Sequence, residues 1–386
     1  MISLKIFFNK RVYFSSAFFY SCLSLLFSTW VTYIPYIAEK IGISEGKIGG
    51  SLFFASLGSF IMIPICKRLI ERFGVGRMAL FSLILYSVTV FGPFISYNYA
   101  TLCASLFLFG MAGSSFVITI NSLTATIEKT ENVYIMSGSH GFYSAGGMIG
   151  AGIGSFIAAL LHNPFLHVFI VVALVLGVQL YFRKDYYHIK NIKVAKTKSN
   201  YRSYRPLILI ALVGIVFMVS EGAISDWSAL YLKKVAKTNL AHIGLGYAGF
   251  SMAMTIGRFL GDWISKKFGS WQLIMGGAFI SLLGFATLLT FSGFTSILGF
   301  TIVGLGFSVI VPEVYRIASH THNVDTAAGV SFIAGSANVG FLIGPVLLGL
   351  LAELRTLHFS FLMLSGVVFM TFLFAIYQSV RIKNRR

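Results

Sequence analysis

The sequence predicts an all-α membrane protein in which twelve transmembrane helices form two pseudo-symmetric six-helix bundles. Three observations lead to this prediction: an apolar composition, twelve apolar stretches of membrane-spanning length, and an internal repeat. Hydrophobic residues make up 56% of the 386 residues and charged residues 11%, whereas soluble domains have about 45–50% and about 25%. This composition excludes the ordinary soluble enzymes and, with 38 Phe in long apolar stretches, intrinsic disorder.

Twelve stretches of the chain are each apolar enough to form a helix that crosses a bilayer, which takes about 20 residues. A membrane β-barrel would instead show segments of about ten residues with alternating polarity. The first stretch is longer than the apolar core of a signal peptide, and we interpret it as an uncleaved span. The predicted spans, numbered 1 to 12 in chain order, are residues 14–37, 46–66, 77–97, 100–127, 136–161, 164–182, 206–231, 241–263, 271–292, 294–318, 326–351 and 357–378.

The positions of Lys and Arg predict the orientation of these spans. With the N-terminus in the cytoplasm, 23 of the 30 Lys and Arg residues lie in cytoplasmic segments and 6 lie outside, as the positive-inside rule requires. We therefore expect both termini in the cytoplasm and, despite the net charge of +18, no nucleic-acid partner. The longest polar segment, residues 183–205, predicts a cytoplasmic basic linker between an N-terminal bundle, residues 1–182, and a C-terminal bundle, residues 206–386.

The two halves of the chain resemble each other at offsets of 194–197 residues. A coincidence of apolar composition is the alternative, but three matches in the same order and in equivalent spans favour a repeat. Parallel six-helix repeats are found in transporters that bind substrate between their halves. The matching segments are residues 65–74 with 260–269, residues 28–30 with 225–227, and Gly146 and Gly150 with Gly340 and Gly344.

The end of span 8 and the loop after it carry a known motif. Residues 257–262, GRFLGD, followed by Lys266, Lys267 and Gly269, resemble the signature loop of the major facilitator superfamily, G-x-x-x-D-R/K-x-G-R-R/K. Together with twelve spans and a repeat of six plus six, the resemblance covers essentially the whole chain. It implies a transporter that works by alternating access, and it implies a monomer.

Two further segments bear on this resemblance. In the corresponding loop of the first half, Lys67 stands where the motif has its acid, whereas Arg72, Gly74 and Arg77 remain. Residues 221–232, EGAISDWSALYL, resemble a seventh-span segment of poorly characterised bacterial members near the fucose-permease-like cluster. The resemblance is therefore informative about the fold and carries little information about the substrate.

Several polar residues near the inner ends of the spans are candidates for gating. In the resembling family, the acid and base of the signature loop hold the cytoplasmic side closed. For Arg258 and Asp262 the alternative is a simple solvated ion pair. Glu313 and Arg316 in span 10 are spaced i,i+3 and can pair, either as an ion pair at the cytoplasmic mouth or as a gate. The gating roles that the resemblance implies fall on Gly257, Arg258, Gly261 and Asp262 in the second half and on Arg72 in the first.

Ionisable residues inside predicted spans need a functional or structural reason, because each costs at least about 2.5–3.5 kcal/mol near the bilayer centre. Glu221 lies in the middle of span 7 with no Lys or Arg within one helical turn. We expect an isolated carboxyl that gains and loses a proton, or else a protonated acid that bonds a neighbouring helix. Asp226 lies about 140° around the helix from Glu221 and is a candidate for substrate contact or helix packing. His140 is either a proton relay or a packing residue.

Neutral polar and aromatic side chains complete the candidate site. Asn121 and Thr119 lie on span 4, the repeat equivalent of span 10, and are candidates for uncharged ligands that face the cavity. Trp30 and Trp227 occupy matching positions in the two halves. They either stack on a ring-shaped substrate or anchor the outer membrane interface.

These observations predict a secondary active transporter of a small polar organic solute in the inner membrane, by proton-coupled symport through Glu221, with the solute, protons and lipid as partners. The alternatives are a proton-antiport exporter of amphipathic compounds, a facilitator without coupling, and a membrane sensor that does not transport. The sequence contains no Walker loop, HExxH motif or Cys/His cluster. We therefore expect no enzymatic activity, no cofactor and no metal site.

Overall fold

The computed structural model describes residues 5–383 except residues 134, 191–204, 291, 320 and 322–325. Within this part of the chain the secondary structure is helical and no strand occurs. The long helices are α1 (Arg11–Thr32), α2 (Glu45–Phe73), α3 (Val75–Thr89), α4 (Tyr99–Glu131), α5 (Met136–Met148, Ile149–Ile153 and Gly154–Leu161), α6 (Pro164–Tyr181), α7 (Ile208–Lys234), α8 (Leu245–Phe268), α9 (Ser270–Leu288), α10 (Gly293–Ser319), α11 (Thr326–Leu354) and α12 (Leu357–Lys383).

The predicted spans coincide with these long helices, so the predicted fold class is confirmed. Ten of the helices have the length and hydropathy needed to cross a membrane, counted over the described residues. The other two, α8 and α11, have 24 and 29 residues, and α11 contains the apolar stretch Leu342–Leu354. Several helices extend past their apolar stretches into polar sequence, because backbone hydrogen bonding continues where hydropathy falls.

Local sequence explains where the helices begin and where two predicted spans divide. Ser44 caps α2, and Asn98 caps α4 by accepting a hydrogen bond from the backbone N–H of Thr101. Span 1 ends early at Thr32, because a second helix, Ile34–Ile41, begins with Pro35 in its first turn, where proline needs no N–H partner. Pro93 likewise opens the short helix Gly92–Ile95 after α3.

Helix α5 is interrupted by one turn of π-helix over Ile149–Ile153. The interruption falls in a glycine-rich stretch that includes Gly150, one of the glycines matched between the two halves. Single π-helical turns inside α-helices occur often at functional sites and mark local departures from regular packing. Gly150 within this turn lies close to α1, because a Cβ there would overlap the side chain of Ser28.

The chain divides into two compact units, Met1–Val194 with Asn239–Gly244, and Ala195–Thr238 with Leu245–Arg386. In the first unit α1 packs against α5, α2 against α4, and α3 against α4. In the second unit the equivalent pairs are α7 with α11, α8 with α10, and α9 with α10. The units thus repeat one packing scheme, while the predicted linker 183–205 stays a prediction because most of it is outside the described residues.

Close backbone contacts occur at the same register in both units. A Cβ on Gly146 of α5 would meet the carbonyl oxygen of Ser21 at 2.6 Å, and a Cβ on Gly340 of α11 would meet that of Ile215 at 3.0 Å. Gly340 follows Gly146 by 194 residues, and Ile215 follows Ser21 by the same number. These contacts are the close helix approaches that small residues permit in membranes, and they show that the repeat seen in the sequence is a repeat of packing.

The two units have a glycine with positive backbone φ at the same place in the repeat. Gly74, between α2 and α3, has φ of 86°, and Gly269, between α8 and α9, has φ of 88°. Only glycine adopts such values without strain. The glycine that ends the signature-like loop is therefore required by the sharp reversal between two helices in both halves.

Candidate functional site

The middle of the second unit contains an ion pair between two adjacent helices. Glu221 lies at the centre of α7 and Arg258 at the centre of α8, with 3.9 Å between Glu221 Oε1 and Arg258 Nη2. The expectation that Glu221 is isolated is therefore wrong. Its counter-charge comes from across the helix interface, which the spacing of residues along α7 alone does not reveal.

Both side chains of the Glu221–Arg258 pair remain partly accessible. The exposed fractions are 24% for Glu221 and 33% for Arg258. Among the described residues, Arg258 makes no hydrogen bond, and its contact with Glu221 is longer than the 2.7–3.2 Å of an ordinary N–H···O bond. The two charges thus compensate each other inside the membrane, but the contact is loose and both groups stay partly accessible.

Asp226 does not join this pair. Its side chain is half-buried on α7, between the buried Ser225 and Trp227. No ion pair or hydrogen bond to it is found within the part of the chain that the structure describes. The predicted rotation of about 140° from Glu221 separates the two carboxylates as expected, so substrate contact by Asp226 stays a prediction.

The prediction that Glu313 and Arg316 pair within α10 is confirmed. Arg316 Nη1 lies 3.6 Å from Glu313 Oε1 and donates a hydrogen bond of 2.5 Å to Ser265 Oγ of α8. Glu313 is 2% exposed, and its second oxygen has no hydrogen-bond partner among the described residues. Arg316 therefore links α8 and α10. This link is compatible both with a permanent ion pair at the cytoplasmic mouth and with a gate.

The other predicted gating residues are only partly placed. The side chain of Asp262 lies outside the described side chains, so its latch role stays a prediction, and Gly261 lies within α8. Gly257 lies where α8 approaches α10, since a Cβ there would overlap the side chain of Ser308. Arg72 is exposed at the end of α2, with its guanidinium 5.3 Å from the ring centre of Phe73.

The first unit contains a neutral polar cluster centred on a residue that the sequence did not single out. Tyr20 of α1 donates a hydrogen bond of 2.9 Å to Asn121 Oδ1, and its ring centre lies 5.0 Å from that of His140. Tyr20 is buried, Asn121 is half-buried and His140 is exposed. The tyrosine thus brings together two of the predicted site residues from α4 and α5.

Thr119 is on a different face of α4 from Asn121. It is fully buried, donates a hydrogen bond of 2.6 Å to the carbonyl oxygen of Ser115, and contacts Cys66 Sγ at 3.6 Å. Its hydroxyl is therefore used in packing α4 against α2. This environment does not support the expected contact between Thr119 and the substrate.

The two tryptophans fit neither of their predicted roles. Trp30 is 3% exposed and packs edge-on against Phe94 and Phe109, and Trp227 is fully buried. A ring with so little accessible surface neither stacks on a substrate nor anchors a lipid interface in this structure. The correction follows from burial, because the apolar sequence around each tryptophan does not distinguish a core position from a membrane-interface position.

Each unit contains a tyrosine–histidine hydrogen bond that the sequence analysis missed. Tyr33 Oη lies 3.0 Å from His167 Nδ1 in the first unit, and Tyr231 Oη lies 3.0 Å from His358 Nδ1 in the second. Both bonds join the end of the first helix of the unit to the beginning of its sixth helix. Tyr231 follows Tyr33 by 198 residues and His358 follows His167 by 191, so a search at the repeat offset of 194–197 residues would not have paired them.

Charged contacts outside the spans hold the start of α1 in the first unit. Lys10 pairs with Glu131 at the end of α4, and Arg11 lies 3.3 Å from Asp185. The hydrogen bond to Glu131 raises the pKa of Lys10, because it favours the charged ammonium group.

In the described part of the chain no group of three His, Cys, Asp or Glu side chains forms a metal-binding cluster.

Comparisons with known proteins agree with this architecture. A model of the family described as Major Facilitator Superfamily matches residues 12–334. An uncharacterized MFS-type transporter from Yersinia pestis is 27% identical over 347 residues, covering 89% of this chain and 89% of the relative. The quinolone resistance protein NorA from Staphylococcus aureus is 24% identical over 344 residues, covering 83% of this chain and 85% of that protein.

A solved structure is similar over nearly the full length. The crystal structure of the nucleoside transporter NupG has a TM-score of 0.76 and 12% identity, covering 95% of this chain and 99% of that one. At this identity the similarity concerns the fold alone.

Proposed function

The chain belongs to the major facilitator superfamily and is a multi-pass membrane transporter, and from this premise we propose that it carries a small polar organic solute across the inner membrane by proton symport. The two six-helix halves expose the solute site to one side of the membrane and then to the other. The pH gradient drives the proton and its solute inward, and each net positive charge that crosses with them adds about 2.3 kcal/mol per 100 mV of membrane potential.

The observation that carries this proposal is the Glu221–Arg258 pair in the middle of α7 and α8. A carboxylate beside a guanidinium is held by charge attraction, and protonation of the carboxyl removes that attraction. Both side chains are partly accessible, which is a requirement for a group that exchanges a proton and contacts a solute. Glu221 therefore couples the charge state of the pair to the contacts that Arg258 makes.

Reconstituted proteoliposomes test the proposal. They are offered a small-molecule extract of bacterial cells under an inward proton gradient, and the luminal solutes are identified by mass spectrometry against protein-free liposomes. We expect the wild type to accumulate at least one solute, and a protonophore to abolish the accumulation. Absence of any accumulated solute under either direction of the gradient would contradict transport by this mechanism.

A matched pair of variants assigns the coupling. We expect Glu221→Gln to lose gradient-driven accumulation while it still exchanges the solute at equal concentrations. Glu353→Gln changes an exposed glutamate near the end of α11 and is expected to behave as the wild type. Full accumulation by Glu221→Gln would remove this residue from the coupling role.

Proton-antiport export of amphipathic compounds is the second candidate, favoured by the 24% identity to a quinolone resistance protein. The direction of the gradient separates the two functions. A symporter accumulates its solute when the lumen is alkaline, whereas an antiporter accumulates it when the lumen is acidic. The same proteoliposomes, prepared with each luminal pH, therefore decide between them.

A further inference from the structure

The guanidinium of Arg258 has more hydrogen-bonding capacity than its described neighbours use. A guanidinium carries five N–H donors, and within the described part of the chain Arg258 has one polar contact, the 3.9 Å approach to Glu221. Asp262 lies four residues further along α8, and its side chain is outside the described part. The donors of a charged group need acceptors in a membrane interior, and the single contact of 3.9 Å among the described residues leaves room for a further partner.

Arg316 provides a contrast within the same unit. It also pairs with a glutamate, but it donates a hydrogen bond to Ser265 across the helix interface, and Glu313 beside it is buried. Arg316 thus serves a contact between α8 and α10. Arg258 has no equivalent protein acceptor among the described residues, and a third of its side chain is accessible.

We propose that the transported solute carries a carboxylate or another oxyanion and that Arg258 binds this group, an inference that rests on the proposed function. The planar fork of a guanidinium matches two oxygens of a carboxylate or phosphate in a bidentate contact. A cationic solute would be repelled by Arg258, and a neutral one would leave its charge without a new partner.

The position of Glu221 makes anion binding and proton binding favour each other. An ionised Glu221 competes with the oxyanion of the solute for the same guanidinium, whereas a protonated Glu221 does not. Arg258 is the charged group that acts on Glu221 among those described. The other ionisable residues on α7 and on the helices packed against it are Asp226, Tyr231, Lys233, Lys234, Tyr247, Asp262, Lys266, Lys267, Glu313, Tyr315, Arg316, Glu353, His358, Tyr377, Arg381 and Lys383.

The charge of the accumulated solutes tests the inference. Wild-type proteoliposomes are offered the bacterial small-molecule extract under both gradient directions, and every accumulated compound is classified by its charge at the assay pH. We expect the compounds to carry a carboxylate or phosphate. Neutral or cationic compounds would overturn the inference and leave the proposed transport intact, whereas no accumulated compound at all would overturn both.

Variants then assign the binding to Arg258. The comparison is between Glu221→Gln, which imitates the protonated acid and keeps the guanidinium, and the double variant Glu221→Gln/Arg258→Gln, in which both charges are removed, with thermal unfolding in detergent confirming that each variant is folded. We expect Glu221→Gln to exchange the anion and the double variant to exchange it roughly 10- to 100-fold more slowly, the loss expected for hydrogen bonds to a charged group.

Two controls complete the design. Glu221→Gln/Arg258→Lys keeps a positive charge and is expected to restore part of the exchange, since lysine offers a point charge in place of the bidentate fork. Arg355→Gln, in the exposed turn after α11, is expected to have no effect. Equal exchange of the anion by Glu221→Gln and by the double variant would overturn the role of Arg258.

Discussion

At the scale of single residues, the charges inside the membrane are explained by partners on neighbouring helices. The sequence identified Glu221 and Arg258 separately, and it assigned them to different tasks. Their pairing depends on how α7 and α8 are rotated about their axes, which spacing along one helix does not specify. For the same reason the i,i+3 pair Glu313–Arg316 could be predicted, because both residues lie on one helix.

Removing one member of the Glu221–Arg258 pair should destabilise the second unit more than removing both. We expect Glu221→Gln/Arg258→Gln to unfold at a higher temperature in detergent than Arg258→Gln alone, which leaves an uncompensated carboxylate. The difference should be about 2 kcal/mol, below the roughly 3–5 kcal/mol of fully buried pairs, since both side chains are partly exposed. Equal unfolding temperatures would show that the two charges are not coupled.

The hydrogen bond between Tyr33 and His167 gives a second prediction at this scale. Tyr33→Phe removes the hydroxyl and leaves the buried His167 without that partner, so the free energy of unfolding should fall by about 1 kcal/mol. Tyr36→Phe is a matched control, because Tyr36 is 43% exposed and its change should be within error. Thermal unfolding of the two purified variants makes the comparison, and equal losses would contradict it.

At the scale of helices, the sequence predicts where the long helices lie better than it predicts their interruptions. The sequence predicted the existence of all twelve long helices, since apolar length is a strong signal. It did not predict the breaks at Tyr33 or after α3, because a proline in the first turn of a short helix is compatible with a continuous apolar stretch. The π-helical turn in α5 likewise has no signature in hydropathy.

Two adjacent glycines of α9 differ in their surroundings: one is closely packed against α10, and the other faces open space. A Cβ on Gly277 would meet the carbonyl oxygen of Gly306 at 2.5 Å, whereas a Cβ on Gly276 would meet no atom within 4 Å. We expect Gly277→Ala to destabilise by roughly 1–3 kcal/mol, as overpacking does. Gly276→Ala should be neutral or stabilising by up to about 1 kcal/mol. Similar unfolding temperatures for the two variants would contradict this account of α9 and α10.

At the scale of the whole molecule, the chain is a duplicated bundle with its termini predicted in the cytoplasm. The duplication was readable from three short matches, and the structure extends it to helix pairs, close contacts and loop glycines. The substrate was not readable, because a candidate residue binds solute only if its helix rotation exposes it. Thr119, Trp30 and Trp227 were selected by residue type and proved to be buried.

The predicted orientation is testable with introduced cysteines, since Cys22, Cys66 and Cys103 are buried. Lys237→Cys, between α7 and α8, should react with a membrane-impermeant maleimide added to intact cells. Arg381→Cys, near the end of α12, should react only after the cells are opened. Both positions are exposed, so accessibility alone does not distinguish them. Labelling of Arg381→Cys in intact cells would reverse the predicted topology.

The most direct test of proton coupling through Glu221 is proton movement driven by the solute. Proteoliposomes without an imposed gradient receive the solute that the wild type accumulates, and a pH-sensitive dye reports the pH of the external medium. We expect solute entry to make the medium more alkaline with the wild type, and to leave its pH unchanged with Glu221→Gln although the solute still equilibrates. An unchanged pH with the wild type, or an equal rise with Glu221→Gln, would contradict the account.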